Sequence, residues 1–334
     1  MELDSFVAAH RAEWDRLETL ATRRGRLSGP EADELLDLYQ RTATHLSMVQ
    51  SSAPDPALVS RLSSLVATGR AAVTGASGAS WSDVAHVVRR SFPVAVWRAR
   101  WWWIGVAVGT IVVAVSIGAW ISHNPDVVAT ISSPEDLKSL VDQNFADYYS
   151  SNPAGSFAFK VWTNNAWVAA LALVGGALLC LPGIYILWQN ALNVGVVGGL
   201  MAYAGRLDLF FGLITPHGLL ELTAVFVAGG AGLRLGWQII APGPRPRSVA
   251  LAEEGRSTLT IALGLIVVLL VSGVVEAFVT PSGLPTWARI GIGAVAWIAF
   301  LTYVVVLGRR GEREGDTGDV TDRAATTATL PYAG

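Results

Sequence analysis

Two stretches of the chain, 101–121 and 161–205, contain no aspartate, glutamate, lysine or arginine. Soluble cores rarely run that long without a charge, whereas a helix crossing the ~30 Å hydrocarbon layer of a bilayer needs roughly 20 apolar residues. These segments suit lipid as their solvent. Composition agrees, with 52% of residues hydrophobic, 15% charged, and 34 glycines and 13 tryptophans among 334 residues. The formal net charge of -2 gives no reason to expect a nucleic-acid partner.

At about 1.5 Å per residue, Trp162 to Gly205 would make a single helix ~65 Å long, twice the bilayer. Pro182-Gly183 is therefore expected to divide it into a tight hairpin of two spans. Six spans are expected in all, at about 101–121, 163–181, 184–204, 213–237, 258–279 and 287–307. The expected fold class is all-α. A polytopic transmembrane bundle (98–308) would follow a cytoplasmic amphipathic helical region (1–97), enclose an outer loop (122–160), and end in a disordered cytoplasmic tail (309–334).

Basic residues beside short loops mark the cytoplasmic side. Arg89, Arg90, Arg98 and Arg100 precede the first span, Arg245, Arg247 and Arg256 lie between the fourth and fifth, and Arg309 and Arg310 follow the sixth. All three clusters place both termini inside. The 122–160 connection, with Asp126, Glu135, Asp136, Asp142 and Asp147 against two lysines, then falls outside. Trp97, Trp101 to Trp103, Trp120, Trp162, Trp188, Trp237 and Trp287 fall at span ends, as an interfacial aromatic belt requires, with Trp297 the mid-span exception. Nothing at the N-terminus reads as a cleavable signal peptide. Lys138 and Lys160 are the only lysines, which suggests a bacterium with a GC-rich genome; the expected location is its plasma membrane.

In the first hundred residues, Phe6, His10, Trp14, Leu17 and Leu20 recur at helical spacing. A second helix is expected from Pro30 to Met48, with Gly29 as its N-cap, Pro30 at its first position, and Glu31, Asp33 and Glu34 in its opening turn. Pro54 and Pro56 break the chain, 75–80 reads as a linker, and Trp81 to Trp97 suits a helix at the inner membrane surface. Ser133-Pro134-Glu135-Asp136 predicts a capped short helix in the outer loop, carrying Leu137, Leu140, Val141 and Phe145.

Polar groups inside spans are the candidate functional residues. In TPHGLLELTAVFVAGGAGLRLG, Thr215 is expected to cap the fourth span and Pro216 to open it. His217 and Glu221, four apart, share a face and either pair with each other or line a polar pocket with Pro216 and Gly218 beside them. Gly229, Gly230, Gly232 and Gly236 allow close helix packing, against a neighbour in the chain or a second copy in a homo-oligomer. Gln189, Asn190 and Asn193 in the third span, and Asn164 and Asn165 in the second, each need hydrogen-bond partners; interhelical bonding is the expected fate, and a transport path the alternative. Glu276 and Arg289 are expected to pair with each other or to snorkel. Cys180, the only cysteine, is expected to serve packing.

No HExxH, GxSxG or Walker pattern is present, nor a pair of intramembrane aspartates, so no enzymatic activity is expected. His217 and Glu221 could supply two metal ligands, but no third is evident among His10, His45, His86 and His123. The expectation is accordingly no metal and no cofactor.

Four segments, FVAAHRAEWDRLETL, ELLDLYQRTATHLSMVQ, NALNVGVVGG and PHGLLELTAVFVAGGAGLRLG, together resemble the stage II sporulation protein M family of bacterial integral membrane proteins. The resemblance covers nearly the whole chain and departs from the family pattern at His45, where an acidic residue often stands. It implies a multipass plasma-membrane protein, in sporulating relatives a partner of peptidoglycan-remodelling enzymes and in many others a product encoded beside a MoxR-type ATPase. It picks out Pro216, His217, Gly218, Glu221, Gly229, Gly230, Gly232 and Arg234. Two functions compete: a non-enzymatic scaffold that recruits cell-envelope proteins, and a transporter or permease-like subunit using the His217 and Glu221 pocket.

Overall fold

The computed structural model describes residues 3–23, 27–52, 55–73, 81–140 and 154–319; the described residues are helical or lie in turns, with no strand among them. They divide into two compact units, Met1–Val84 and Ala85–Gly334.

The first unit is three helices, α1 (Leu3–Thr22), α2 (Gly29–Ser52) and α3 (Pro56–Val73). Trp14, Leu17 and Leu20 of α1 meet Leu35, Leu38 and Val49 of α2 and Leu62 and Leu65 of α3 in a closed core. Burial of each such side chain stabilises by about 1.5–3 kcal/mol, so this core outweighs the exposed ion pairs at its rim, Arg16–Glu34 and Arg61–Asp15. Exposed pairs contribute roughly 0–1 kcal/mol. The start of α2 differs from expectation. Its cap is Ser28, whose N–H and hydroxyl both donate to the Glu31 carboxylate, while Gly29 is already helical. Ser at the cap with Glu three residues on satisfies donors that Gly29 could not.

The second unit opens with α4 (Trp81–His86), a π-helical turn (Val87–Ser91) and α5 (Phe92–Arg98). It continues through α6 (Arg100–Ser122), α7 (Pro125–Ile131), α8 (Pro134–Ser139), α9 (Ala154–Ala177), α10 (Leu181–Tyr203), α11 (Leu207–Ile240), α12 (Arg247–Val274) with a π-helical turn at Val275–Val279, and α13 (Thr286–Arg313). Five helices among the described residues are long and apolar enough to cross a membrane: α6, α10, α11, α12 with its π turn, and α13. The expected span at 163–181 falls on α9. Side chains such as Val108, Val112 and Val115 on α6 and Leu263, Val267 and Leu270 on α12 are exposed, which in a multipass membrane protein is the lipid-facing surface.

α11 is the axis of the bundle. Its residues Thr223 to Gly232 are continuously buried, and its glycines meet neighbouring backbones. A Cβ at Gly232 would lie 2.2 Å from the Leu173 carbonyl oxygen of α9, one at Gly236 would lie 2.2 Å from that of Gly176, and one at Gly230 would lie 2.5 Å from the Trp103 nitrogen of α6. Gly229 faces the Leu187 side chain of α10. The partners of these small residues are therefore helices of the same chain, whose backbones come close enough to gain dispersion and Cα–H···O contacts.

The hairpin expected at Pro182-Gly183 forms, but the chain turns earlier, at Leu179 and Cys180, whose φ values of 57° and 70° are left-handed. Pro182 then occupies the first turn of α10. Both residues bear side chains in a region that usually favours glycine, and the Cys180 thiol donates to the Leu233 carbonyl at 3.4 Å.

Three further expectations are corrected. Pro216 does not open a helix and Thr215 does not cap one, because α11 runs unbroken through both from Leu207. Phe210 and Leu213 are buried, and in a low-dielectric layer losing the one hydrogen bond a proline removes costs less than unwinding a turn. The stretch Phe92 to Ala99 is not an interfacial helix but part of the bundle core, where the Phe92 ring packs on Gly264 and Trp97 and Pro93 pack on Gly308. The division between units accordingly falls at Val84 and Ala85 rather than at 97. Within the tail, residues to 319 are ordered by ion pairs: Arg90 with Glu314 and Asp316, and Arg256 with a buried Asp319. These contacts put the basic clusters before α6, at the start of α12 and after α13 at one end of the bundle. The expected disorder of 320–334, like Val141 and Phe145 in the outer loop, lies outside the described residues.

Candidate functional site

Near the opposite end of the bundle, two helices place three ionisable side chains together. His217 and Glu221 project from adjacent turns of α11, and Glu276 comes from the π turn that ends α12. Their ligand atoms all lie within 4.8 Å of one another. His217 and Glu276 are buried, with side chains 7% and 4% exposed. His217 Nε2 stands 3.8 Å from Glu276 Oε1, beyond hydrogen-bonding distance. His217 Nδ1 is 3.3 Å from the Thr280 hydroxyl, and Ser272 donates its hydroxyl to the His217 carbonyl at 3.0 Å.

Ser272, Glu276 and Thr280 are successive fourth residues. In a regular α-helix four residues overshoot a turn by ~40°, which would carry Thr280 away from the face Ser272 shares with His217. The π turn, closed by the Thr280 N–H to the Val275 carbonyl, takes that drift back and keeps all three on His217.

The third contributing helix is α9. The Asn165 side chain adjoins Glu221, and its amide oxygen accepts from the exposed Asn164 at 3.3 Å. One oxygen each of Glu221 and Glu276 is nonetheless buried without a hydrogen-bond partner. Arg289, expected to pair with Glu276 or to snorkel, donates to the Thr280 carbonyl at 2.6 Å and to the Thr286 hydroxyl at 3.1 Å, and Glu276 turns inward. Gly218 is buried beside Ile214, and the Pro216 carbonyl is covered by Gly293 of α13, where a Cβ would lie 1.9 Å away.

The sequence identified His217 and Glu221 but not their closest associate. Glu276 could have been found by its spacing, since Ser272, Glu276 and Thr280 form a polar stripe in an otherwise apolar span. The structure does not extend the site to α10: Gln189 is half-buried, Asn193 is exposed, and the Asn190 amide nitrogen is buried without a partner. Nearer the other end, Arg234 forms a 2.9 Å ion pair with Glu254, joining α11 to α12. Trp297, the mid-span exception, is explained by its indole N–H, which donates to Thr223 at 3.0 Å. A lateral groove of about 600 Å³ between α6 and α10, bordered by Trp101, Trp102 and Trp188, is almost wholly apolar.

In the first unit, His10, Glu13 and His45 also converge. The His10 and His45 rings lie 4.0 Å apart. Trp14 donates its indole N–H to His45 Nδ1 at 3.2 Å, so the neutral ring keeps its proton on Nε2. Burial first, and then the nearby His10, hold His45 below the usual imidazole value. This arrangement reads as a packed aromatic group.

Comparison with known proteins follows this geometry closely. Residues 4–75, nearly the whole first unit, match a domain of unknown function. An uncharacterised protein of Methanocaldococcus jannaschii is 28% identical over 152 residues, which cover 45% of this chain and 84% of the relative. No solved structure matches. Residues 107–281, from α6 through the π turn that holds Glu276, match the model of stage II sporulation protein M. That match takes in more than half of the chain and every ionisable residue of the buried cluster, and the chain belongs to the stage II sporulation protein M family.

Proposed function

We propose that this protein is a non-enzymatic organising subunit of cell-envelope machinery, seated in a bacterial plasma membrane with both termini cytoplasmic. The observation that carries the reading is the division of the chain into a three-helix unit with its own closed core and a membrane bundle held by backbone-to-backbone contacts. A module that folds on its own core can present a surface to a soluble partner while the bundle fixes its address. The shared end of the three basic clusters supports the inside orientation, and the family name supports an envelope setting.

Photocrosslinking residues placed at the exposed positions Leu36 and Met48 of α2, in cells, test this reading. The expectation is a discrete set of envelope proteins, absent when the photoreactive residue stands instead at the exposed Val112 of α6. Recovery of the same set from both positions, or of no protein from α2, would sink it.

A second reading, a transporter or permease-like subunit, is favoured by one observation: His217 and Glu276 are ionisable groups buried within the bundle, with Glu221 half-buried beside them, where such groups are costly and often functional. Purified protein in vesicles that changes ion or solute flux, with the change abolished by Glu221→Gln, would favour this reading over the first.

A further inference from the structure

We propose that His217, Glu221 and Glu276 bind a divalent transition-metal cation such as zinc or manganese, with Thr280 and Asn165 positioning the ligands. Charge balance is the first argument. Two carboxylates whose ligand atoms lie within 4.8 Å repel strongly when shielded from water, and among the described residues neither forms an ion pair with an arginine or lysine. The nearest guanidinium, that of Arg289, is committed to the Thr280 carbonyl and the Thr286 hydroxyl. A divalent cation with two carboxylates and a neutral imidazole is electrically neutral, which removes that repulsion without leaving a net buried charge.

The second argument is the unsatisfied valence. Glu221 Oε2 and Glu276 Oε2 are buried with no hydrogen-bond partner, and a bound cation supplies what they lack. The third is the tautomer. His217 Nδ1 stands 3.3 Å from the Thr280 hydroxyl; in the tautomer with the proton on Nδ1, the lone pair of Nε2 is left for a cation on the Glu276 side, the usual second-sphere arrangement of a metal-binding histidine. The imidazole selects a borderline transition metal over calcium or magnesium. Ligand atoms around a four-coordinate zinc, with bonds of about 2.0–2.2 Å, stand ~3.3–3.5 Å apart, so side-chain rotations of about an ångström close the site. The inference does not depend on the organising role proposed above, because a cation that clamps α11 to α12 serves either function.

The full-length protein, purified in detergent and stripped with a chelator, is reloaded with zinc and with cobalt, and metal content and visible absorption are read after desalting. The expected result is about one zinc per chain and a cobalt spectrum showing nitrogen and oxygen ligation. Glu276→Gln should weaken binding at least tenfold. Thr280→Val, which leaves all three ligands in place, should weaken it by about 10–100-fold while full occupancy is still reached at high zinc. The double variant His10→Ala, His45→Ala should bind as wild type. Monodisperse wild-type protein without a cobalt spectrum of this kind would overturn the proposal whatever the variants do. Zinc uptake unchanged in Glu276→Gln, or lost in the His10 and His45 variant, would overturn it as well.

Discussion

Gly232→Ala should loosen the bundle by prising α9 from α11. A Cβ there would sit 2.2 Å from the Leu173 carbonyl oxygen and 2.8 Å from its carbon, where ordinary contact begins at 3.4 Å, so the two backbones must part by about 1 Å. A gap of that size forfeits a quarter to a half of each ~0.1–0.2 kcal/mol atom pair. Summed over the interface, the loss falls in the range of about 1–3 kcal/mol typical of overpacked cores. The alanine recovers up to ~1 kcal/mol of helix propensity, leaving a net cost of about 1–2 kcal/mol. Gly291→Ala is the control, because a Cβ there meets nothing within 4 Å, so it should be neutral or slightly stabilising. Thermal unfolding with a thiol-reactive fluorophore reads the affected interface directly. Cys180 is the only cysteine, is buried, and its Sγ lies 3.2 Å from where a Gly236 Cβ would be. Labelling should begin ~2–6 °C earlier in Gly232→Ala than in wild type. Labelling at the wild-type temperature, or no earlier than in Gly291→Ala, would refute the claim that backbone contact holds α9 on α11.

The same assay checks the buried ion pair. Arg234→Ala strands Glu254 and should cost about 3–5 kcal/mol, whereas Arg234→Met with Glu254→Leu should recover most of the loss. Thr223→Val leaves the Trp297 N–H without its acceptor and should cost about 1–3 kcal/mol; in a Trp297→Phe background it should cost much less, and additive losses would show that the bond does not matter. For the first unit, His45 is held below its ordinary value of 6.5 by burial and by His10. The unfolded chain therefore binds more protons than the folded one between the two values. Stability is full above about pH 6.5, falls as the pH drops through it, and levels off below the depressed folded value. Amide exchange in α1 to α3, corrected for intrinsic rates, should show that decline in wild type and lose it in His45→Gln.

The spans were legible because apolar length and charge avoidance are properties of a segment and its solvent, and need no knowledge of neighbours. The glycines of α11 were legible as packing residues for a related reason: in lipid a small residue on a helix face has little use except close approach. Pro216 misled because its breaking tendency is local, while the burial that holds α11 together, at Phe210 and Leu213, depends on what lies across from it. Phe92 to Ala99 misled similarly, since a mixed apolar and arginine-rich segment reads the same whether its apolar face meets lipid or, as here, Gly264 and Gly308. Of the site, His217 and Glu221 were visible as an i, i+4 pair. Glu276 reads as an interfacial residue because it stands close to the end of its expected span; only its polar stripe with Ser272 and Thr280 signals otherwise, and the π turn shows which way it points.

The long uninterrupted helix α11 also has a mechanical consequence. From His217 to Arg234 it spans ~26 Å of continuous α-helix, and glycine-mediated backbone contacts on several sides leave little room for it to bend or swivel. It can then respond to a force only as a stiff rod. Tilting it by about 5° about one end displaces the other by ~2 Å, enough to make or break the 2.9 Å pair between Arg234 and Glu254. A load applied at the His217 end would thus reach the arginine-bearing end through the helix itself, without any chain of side-chain rearrangements between them.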